Sequence, residues 1–247
     1  MKLLLLAGTG DARRIATALA PQPGVDLIAS LAGETRHPAP IAATTRIGGF
    51  GGPAGFAAFL AAENIRAVVD ATHPFARQMS ATAAGVCAAE GIPHLRFLRP
   101  PWKPGRDENW VMVGNEQEVA AHIPAGAVVF LATGRKTLDS YANLGDCRLI
   151  CRQIDPPERP FPFPNGRFLL GRPPFSVGDE TALFEHLGVD WLVVRNSGGT
   201  ASRSKLDAAA ALGIRVAMIR RPVPPDCRLV ASVPAVVAWV REVGATA

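Results

Sequence analysis

The hydrophobic positions of this chain fall into short apolar runs separated by longer amphipathic segments, and the two alternate from end to end. Residues 2–7 are almost wholly apolar, as a strand buried on both faces must be. Residues 11–20 follow with helical spacing and stop before Pro21. Residues 26–31 and 43–47 read as short strands. A glycine-rich turn at 48–52 leads into a helix that starts at Pro53. Residues 66–70 are another apolar strand. Pro74 suits the first position of a long alanine-rich helix, which Gly91 ends, and residues 94–98 are the next strand. The pattern pauses at 99–109, where three prolines and a glycine forbid a helix or a central strand. It restarts with a strand at 127–131, a helix at 135–142 and a strand at 147–153. The proline-rich stretch 155–174 is too long for an ordinary connection and reads as a lid or binding loop. A helix near 179–187, a strand at 190–195, a helix at 202–212, a strand at 215–219 and a helix at 232–243 complete the chain.

Alternating strands and helices predict parallel sheets. The pause at 99–109 divides the chain into residues 1–98 and 99–247. An internal echo supports two related halves. Asp70, Ala71, Thr72 and His73 end one apolar strand and lead through a helix to Gly91, Ile92 and Pro93. Arg195, Asn196, Ser197 and Gly198 do the same before Gly213 and Ile214. Likewise Leu6, Ala7, Gly8, Thr9 and Gly10 are matched by Leu131, Ala132, Thr133, Gly134 and Arg135. The predicted fold is therefore α/β, two Rossmann-like parallel-sheet domains in tandem with an interdomain cleft. In such sheets, ligands bind at the carboxyl ends of the strands.

Composition narrows the field. The 247 residues are 48% hydrophobic and only 19% charged, with a formal net charge of +5. Such a basic chain suits phosphate or carboxylate ligands, and equally an arginine-rich surface. It carries no lysine run and no basic stripe with interleaved aromatics, so nucleic acid is not expected. Cys87, Cys147, Cys151 and Cys227 form no Cys-x-x-Cys pair and have no histidine at ligand spacing, so no metal site is expected. Free thiols fit a reducing, cytoplasmic setting. No apolar stretch approaches the ~20 residues that span a bilayer.

The chemistry-bearing residues cluster in the turns. Gly8, Thr9, Gly10 and Asp11 follow a strand and open a helix, whose free N–H groups suit an anion; Asp11 is placed to cap that helix. Arg13 stands where a full dinucleotide fingerprint has its third glycine, and a tight structural turn would look the same. Ser30, Gly33 and Arg36 lie past the second strand, where a ribose 2′-phosphate is read, so NADPH is expected; Glu34 keeps NADH open. Thr72 and His73 end the strand at 66–70. His73 is held extended by Pro74 and is a candidate proton donor or anion ligand. In the second half, Thr133 and Gly134 precede Arg135 and Lys136, two cations at a helix start where the dipole disfavours them. That points to an anionic partner. Ser197, Gly198, Gly199 and Thr200, with Arg203 and Lys205, form the richest cluster. Arg152 and Arg172 are expected at the same edge. Solvated surface remains the plainer reading for each cation. No catalytic triad, zinc motif, Walker loop or carboxylate pair is present.

Taken in order, L-x-A-G-T-G-D-A-R, D-A-T-H-P-F-A, T-G-R-K, L-x-G-R-P-P-F-S and N-S-G-G-T-x-S-x-x-K resemble the precorrin-6A reductases of cobalamin biosynthesis, the CobK/CbiJ family, over residues 3 to about 219. The resemblance implies NADPH-dependent reduction of one carbon–carbon double bond in a corrin precursor, with or without cobalt. It also implies a tetrapyrrole polycarboxylate as substrate, and it admits neighbouring enzymes of that pathway as partners. The first half is then the favoured coenzyme half and the second the favoured carboxylate half, the reverse assignment staying open. Reduction of a different carbonyl or imine, or a non-catalytic nucleotide-sensing module, would use similar halves.

Overall fold

The computed structural model describes residues 1–33, 39–106 and 108–246. The chain divides into two compact units, Met1–Pro100 with Pro222–Ala247, and Pro101–Arg221.

The first unit holds β1 (Lys2–Leu6), α1 (Gly10–Leu19), β2 (Asp26–Leu31), β3 (Thr44–Ile47), α2 (Pro53–Ala62), β4 (Ala67–Asp70), α3 (Arg77–Ala89) and β5 (His94–Phe97). Its sheet is all parallel, in the order β12-β5-β4-β1-β2-β3, where β12 is Arg228–Val230. Successive side chains of a strand point to opposite faces, and both faces here are covered. Leu3 and Leu5 pack with Ile15 and Leu19 of α1, and with Val236 and Trp239 of α6 (Val233–Thr246). Leu4 and Leu6 pack with Phe56 and Leu60 of α2 and Ala83 of α3. That double burial explains the leucine run of β1.

The second unit repeats the plan. It contains β6 (Trp110–Val113), β7 (Val128–Leu131), β8 (Arg148–Gln153), β9 (Gly166–Leu170), α4 (Val177–Leu187), β10 (Trp191–Arg195), α5 (Ser204–Ala211) and β11 (Arg215–Ile219). Its parallel sheet runs β6-β11-β10-β7-β8-β9. Phe130, Ile150, Leu192 and Val216 meet Phe184 of α4 and Leu206 of α5 on one face. By alternation, Leu131 and Cys151 point to the other face. Two 3₁₀ segments, Gln117–Ala121 and Arg135–Leu144, bury Val119, Leu138 and Tyr141.

In each sheet the strand order reverses once. The reversal lies between β1 and β4 in the first unit and between β7 and β10 in the second. At such a switch point neighbouring connections leave in opposite directions, and a crevice opens at the carboxyl edge. The turns Gly8–Gly10 and Thr72–His73 flank the first switch point; Thr133–Gly134 and Asn196–Gly199 flank the second.

Four expectations need correction. Residues 222–247 do not belong to the second half: β12 registers with β5, and α6 packs against α1. The stretch 155–174 is not a structureless loop, because β9 extends the sheet edge through it. Pro74 does not open α3. The Asp70 carboxylate accepts from the Thr72 N–H at 3.0 Å, and the Ala76 N–H bonds the His73 carbonyl at 2.8 Å, so the chain turns first and the helix begins at Arg77. The segment after Gly134 is 3₁₀ rather than α, with a break at Thr137 (φ −112°, ψ 15°).

Candidate functional site

At the first switch point Gly8 has φ +118°, a region that L side chains rarely adopt, and among the described residues no heavy atom beyond its chain neighbours lies within 4 Å of where a Cβ would be. The turn therefore exposes backbone at the start of α1. Thr9, not Asp11, caps that helix. The Thr9 hydroxyl accepts from the Ala12 N–H at 3.1 Å and donates to the Ala71 carbonyl at 2.8 Å, tying the β1 turn to the β4 turn. Asp11 is turned inward and pairs with Arg14 and Arg99. Burial pushes its carboxyl pKa up, but the two guanidinium groups more than offset this and hold it below the usual range. Its charge is thus already spent on internal partners.

Across the same edge, Asp70 is fully buried and pairs with Arg96 at 3.0 Å. Its other oxygen accepts from the Thr72 hydroxyl at 2.6 Å. This braces the turn that presents His73, which is exposed. The His73 Nδ1 accepts from the Phe75 N–H at 3.2 Å. In the neutral ring that leaves the proton on Nε2, which makes Nε2 a donor.

Near the end of β2, the hydroxyl of Ser30 is buried and accepts from Arg46 at 2.7 Å. Arg46 also donates to the carbonyls of Gly48 (2.9 Å) and Gly49 (3.1 Å), and its guanidinium lies 4.1 Å from the ring centre of Phe50. Sequence reading passed over Arg46. The available signal was register: Arg46 stands beside Ser30 in the sheet. Gly33, with φ +77°, ends the same strand edge; Arg36 lies outside the described residues.

In the second unit, Thr133 is buried and hydrogen-bonded to the Tyr141 hydroxyl at 3.1 Å. Gly134 has φ +78° with open space above it, and Arg135 and Lys136 are exposed. Arg172, also exposed, is 3.7 Å from Asp155. Three of the expected ligand cations are differently placed. Arg152 forms a two-pronged pair with the buried Glu180 at 2.7 and 2.8 Å, over the ring of Phe175. Arg203 is shared between Glu108 (2.6 Å) and Asp207 (3.1 Å). Lys205 donates to the Ser202 carbonyl at 2.6 Å. Burial lowers its pKa to about 8, aided by Arg152 and opposed by Glu180.

The Asn196 to Thr200 turn has its own scaffold. Asn196 accepts from the Trp102 N–H at 2.8 Å and donates to the Trp102 carbonyl at 2.9 Å, as a paired strand would. Trp102 Nε1 donates to the Gly199 carbonyl at 2.7 Å. Arg221 donates to the carbonyls of Asn196 and Ser197 at 2.6 and 2.8 Å. Gly198 and Gly199 both have positive φ (+67° and +79°), and Thr200 is exposed. Trp102, within the stretch 99–109 read from sequence as a linker, thus anchors this turn. Burial pushes the Cys87 and Cys151 thiols up to about 12 and 11, which keeps them protonated at neutral pH. Among the described residues no group of three or more His, Cys, Asp or Glu is arranged to hold a metal ion. No helix among them is long and apolar enough to cross a membrane.

Comparison with known proteins agrees with this architecture. The family model for Precorrin-6x reductase CbiJ/CobK matches residues 2–241. The chain is 45% identical to the precorrin-6A reductase of Rhodococcus erythropolis over 97% of each chain. It is 39% identical to that of Rhodobacter capsulatus over 99% of this chain and 98% of the relative. A solved structure of a CobK precorrin-6A reductase superposes with a TM-score of 0.94 at 39% identity, covering 99% of this chain and 97% of that one. With two parallel sheets, an exposed turn at each switch point and a family match along almost its whole length, the chain belongs to the precorrin-6x reductase (CbiJ/CobK) family.

Proposed function

We propose that this chain reduces one carbon–carbon double bond of metal-free precorrin-6A, with NADPH as the hydride donor. The observation that carries the reading is the full-length family match; both relatives described above bear the precorrin-6A name. A reductase of this family uses a nicotinamide coenzyme, and the coenzyme supplies the hydride. The protein's tasks are binding, orientation and electrostatics.

The first unit fits a dinucleotide. The open backbone at Gly8 admits close approach of a pyrophosphate, and the first N–H groups of α1, which begins at Gly10, favour its charge. Thr9 and Asp11 shape this turn from beneath rather than facing the ligand. Thr72 and His73 stand across the switch point, where the His73 Nε2 donor positions a polar group of coenzyme or substrate. Preference for NADPH is assigned to Arg46, held on Ser30 and already stripped of part of its water.

The second unit is given the carboxylate arms of the tetrapyrrole. Arg135, Lys136 and Arg172 are among its exposed cations, and the exposed Thr200 beside Ser197, Gly198 and Gly199 adds a hydroxyl. Arg152, Arg203 and Lys205 support the edge through their internal pairs. The test is anaerobic incubation of the protein with precorrin-6A and either NADPH or NADH. Coenzyme consumption and the mass of the macrocycle are then followed. NADPH-dependent gain of two hydrogens supports the reading, and an unchanged macrocycle refutes it.

A further inference from the structure

Gln153 closes β8 at its carboxyl end. Its side chain is buried, and neither Oε1 nor Nε2 has a hydrogen-bond partner among the described residues. A buried amide left unsatisfied destabilises a fold, so native proteins almost always pair it. The other buried polar atoms in this state belong to His94 and Trp110, which open their strands, and to the Nε of Arg96, whose guanidinium already binds Asp70. Gln153 alone among them ends a strand, on the sheet edge where ligands bind. It also has both a donor and an acceptor idle.

Its surroundings are those of the second switch point. Leu131 registers with Cys151, and one alternation beyond Cys151 puts Gln153 on that same face, at the edge where the chain leaves β7 for the Thr133 turn. Thr133 is the residue hydrogen-bonded to Tyr141. Arg152 points to the opposite face, towards Glu180 and Phe130, and makes no claim on the amide. The backbone is fixed as well: the Gln153 carbonyl accepts from the Gly171 N–H at 3.0 Å. A rigid backbone carrying an idle amide is a prepared recognition group.

We propose that Gln153 reads a planar carboxyl or carboxamide group of the bound ligand, with Nε2 donating and Oε1 accepting. The proposal rests on the reading of this chain as a precorrin reductase. Two ligand groups have that chemistry: an acid side arm of the tetrapyrrole, and the carboxamide of the nicotinamide ring. A carboxamide or a protonated acid fills both ends of the amide, whereas an ionised carboxylate fills only Nε2.

The experiment compares wild type, Gln153→Met and Gln153→Asn as full-length proteins. Met matches the volume of Gln without polar atoms; Asn keeps the amide but withdraws it by one methylene. For each, the urea midpoint of the ligand-free protein, the dissociation constant for NADPH and the KM and kcat with precorrin-6A are measured. The expected result is a Met variant at least as stable as wild type, with affinity for one ligand weakened about tenfold, the scale of one or two neutral hydrogen bonds. Asn should weaken the same ligand. A higher precorrin KM with unchanged NADPH binding assigns the substrate arm, and the reverse assigns the carboxamide. Unchanged affinity for both ligands overturns the proposal, whichever way stability moves. So does equal loss for both ligands together with lower stability, which marks general damage. Wild type that fails to reduce precorrin-6A refutes the functional reading instead. Wild type that succeeds while the variants match it refutes only the role of Gln153.

Discussion

Replacing Asn196 by Ala removes one side chain and breaks two buried hydrogen bonds, to the N–H and the carbonyl of Trp102. Asn196 is 4% exposed and Trp102 8%, so water does not readily take over either backbone group. An orphaned buried donor or acceptor costs roughly 1–3 kcal/mol. Two of them, with some relaxation of the 101–105 segment, give a loss of about 2–4 kcal/mol. At a urea slope of about 2 kcal/mol per molar, that lowers the midpoint by roughly 1–2 M. Asn196→Asp should be worse at neutral pH, because its carboxylate would face the Trp102 carbonyl. The assay is urea unfolding followed by tryptophan fluorescence, with hydrogen exchange resolving the amide of Trp102. The turn that Asn196 and Arg221 hold in place should loosen too, raising the precorrin KM. An Asn196→Ala protein within about 0.5 kcal/mol of wild type, a typical surface-mutation effect, would refute the argument that this pairing organises the Ser197, Gly198 and Gly199 turn.

Other consequences are equally open to measurement. Arg46→Met should lower the ratio of NADPH to NADH affinity by ten- to a hundredfold, the order of one charge-assisted hydrogen bond of about 1.5–3 kcal/mol; an unchanged ratio in equilibrium titrations removes Arg46 from coenzyme choice. His73→Ala should raise the substrate KM while single-turnover hydride transfer at saturation stays near normal. A rate loss of about 10²–10⁴ together with a vanished kinetic pKa would instead make His73 the general acid. His94 carries a pKa lowered by burial, with Arg96 adding to the effect and Asp70 opposing it. The unfolded chain therefore binds the proton first. Stability is full above the unfolded value of 6.5 and is lost as pH falls below it towards the folded pKa. His94→Gln should flatten that slope, and equal slopes in the two proteins would exclude His94 as its source.

What the sequence revealed was whatever leaves a periodic or local trace. The leucine run of β1, the glycine turns and the echo between the two halves all follow from parallel strands buried on both faces. β9 and β12 left no such trace. They are short strands at sheet edges whose residues are half exposed, and prolines surround β9. The return of residues 222–247 to the first unit is a long-range event without a local signature. At the candidate site, residue types were readable and their partners were not. Arg152 and Lys136 look alike as letters, yet one is locked to a buried glutamate 28 positions away and the other is exposed. Thr9 and Asp11 are both plausible caps, and only the geometry shows the hydroxyl reaching the Ala12 N–H while Arg14 and Arg99 draw the carboxylate aside.

The central claim is that this chain passes a hydride from a nicotinamide coenzyme to a carbon of the precorrin-6A macrocycle. It is tested most directly with NADPH deuterated at the transferring position of the nicotinamide ring, in ordinary water without oxygen. The reduced macrocycle is analysed by mass spectrometry and NMR. The expected product carries one deuterium on a ring carbon from the coenzyme and one proton from solvent on the neighbouring carbon, with one NADPH oxidised per macrocycle. A product free of deuterium, or coenzyme oxidised while the macrocycle stays intact, would contradict it.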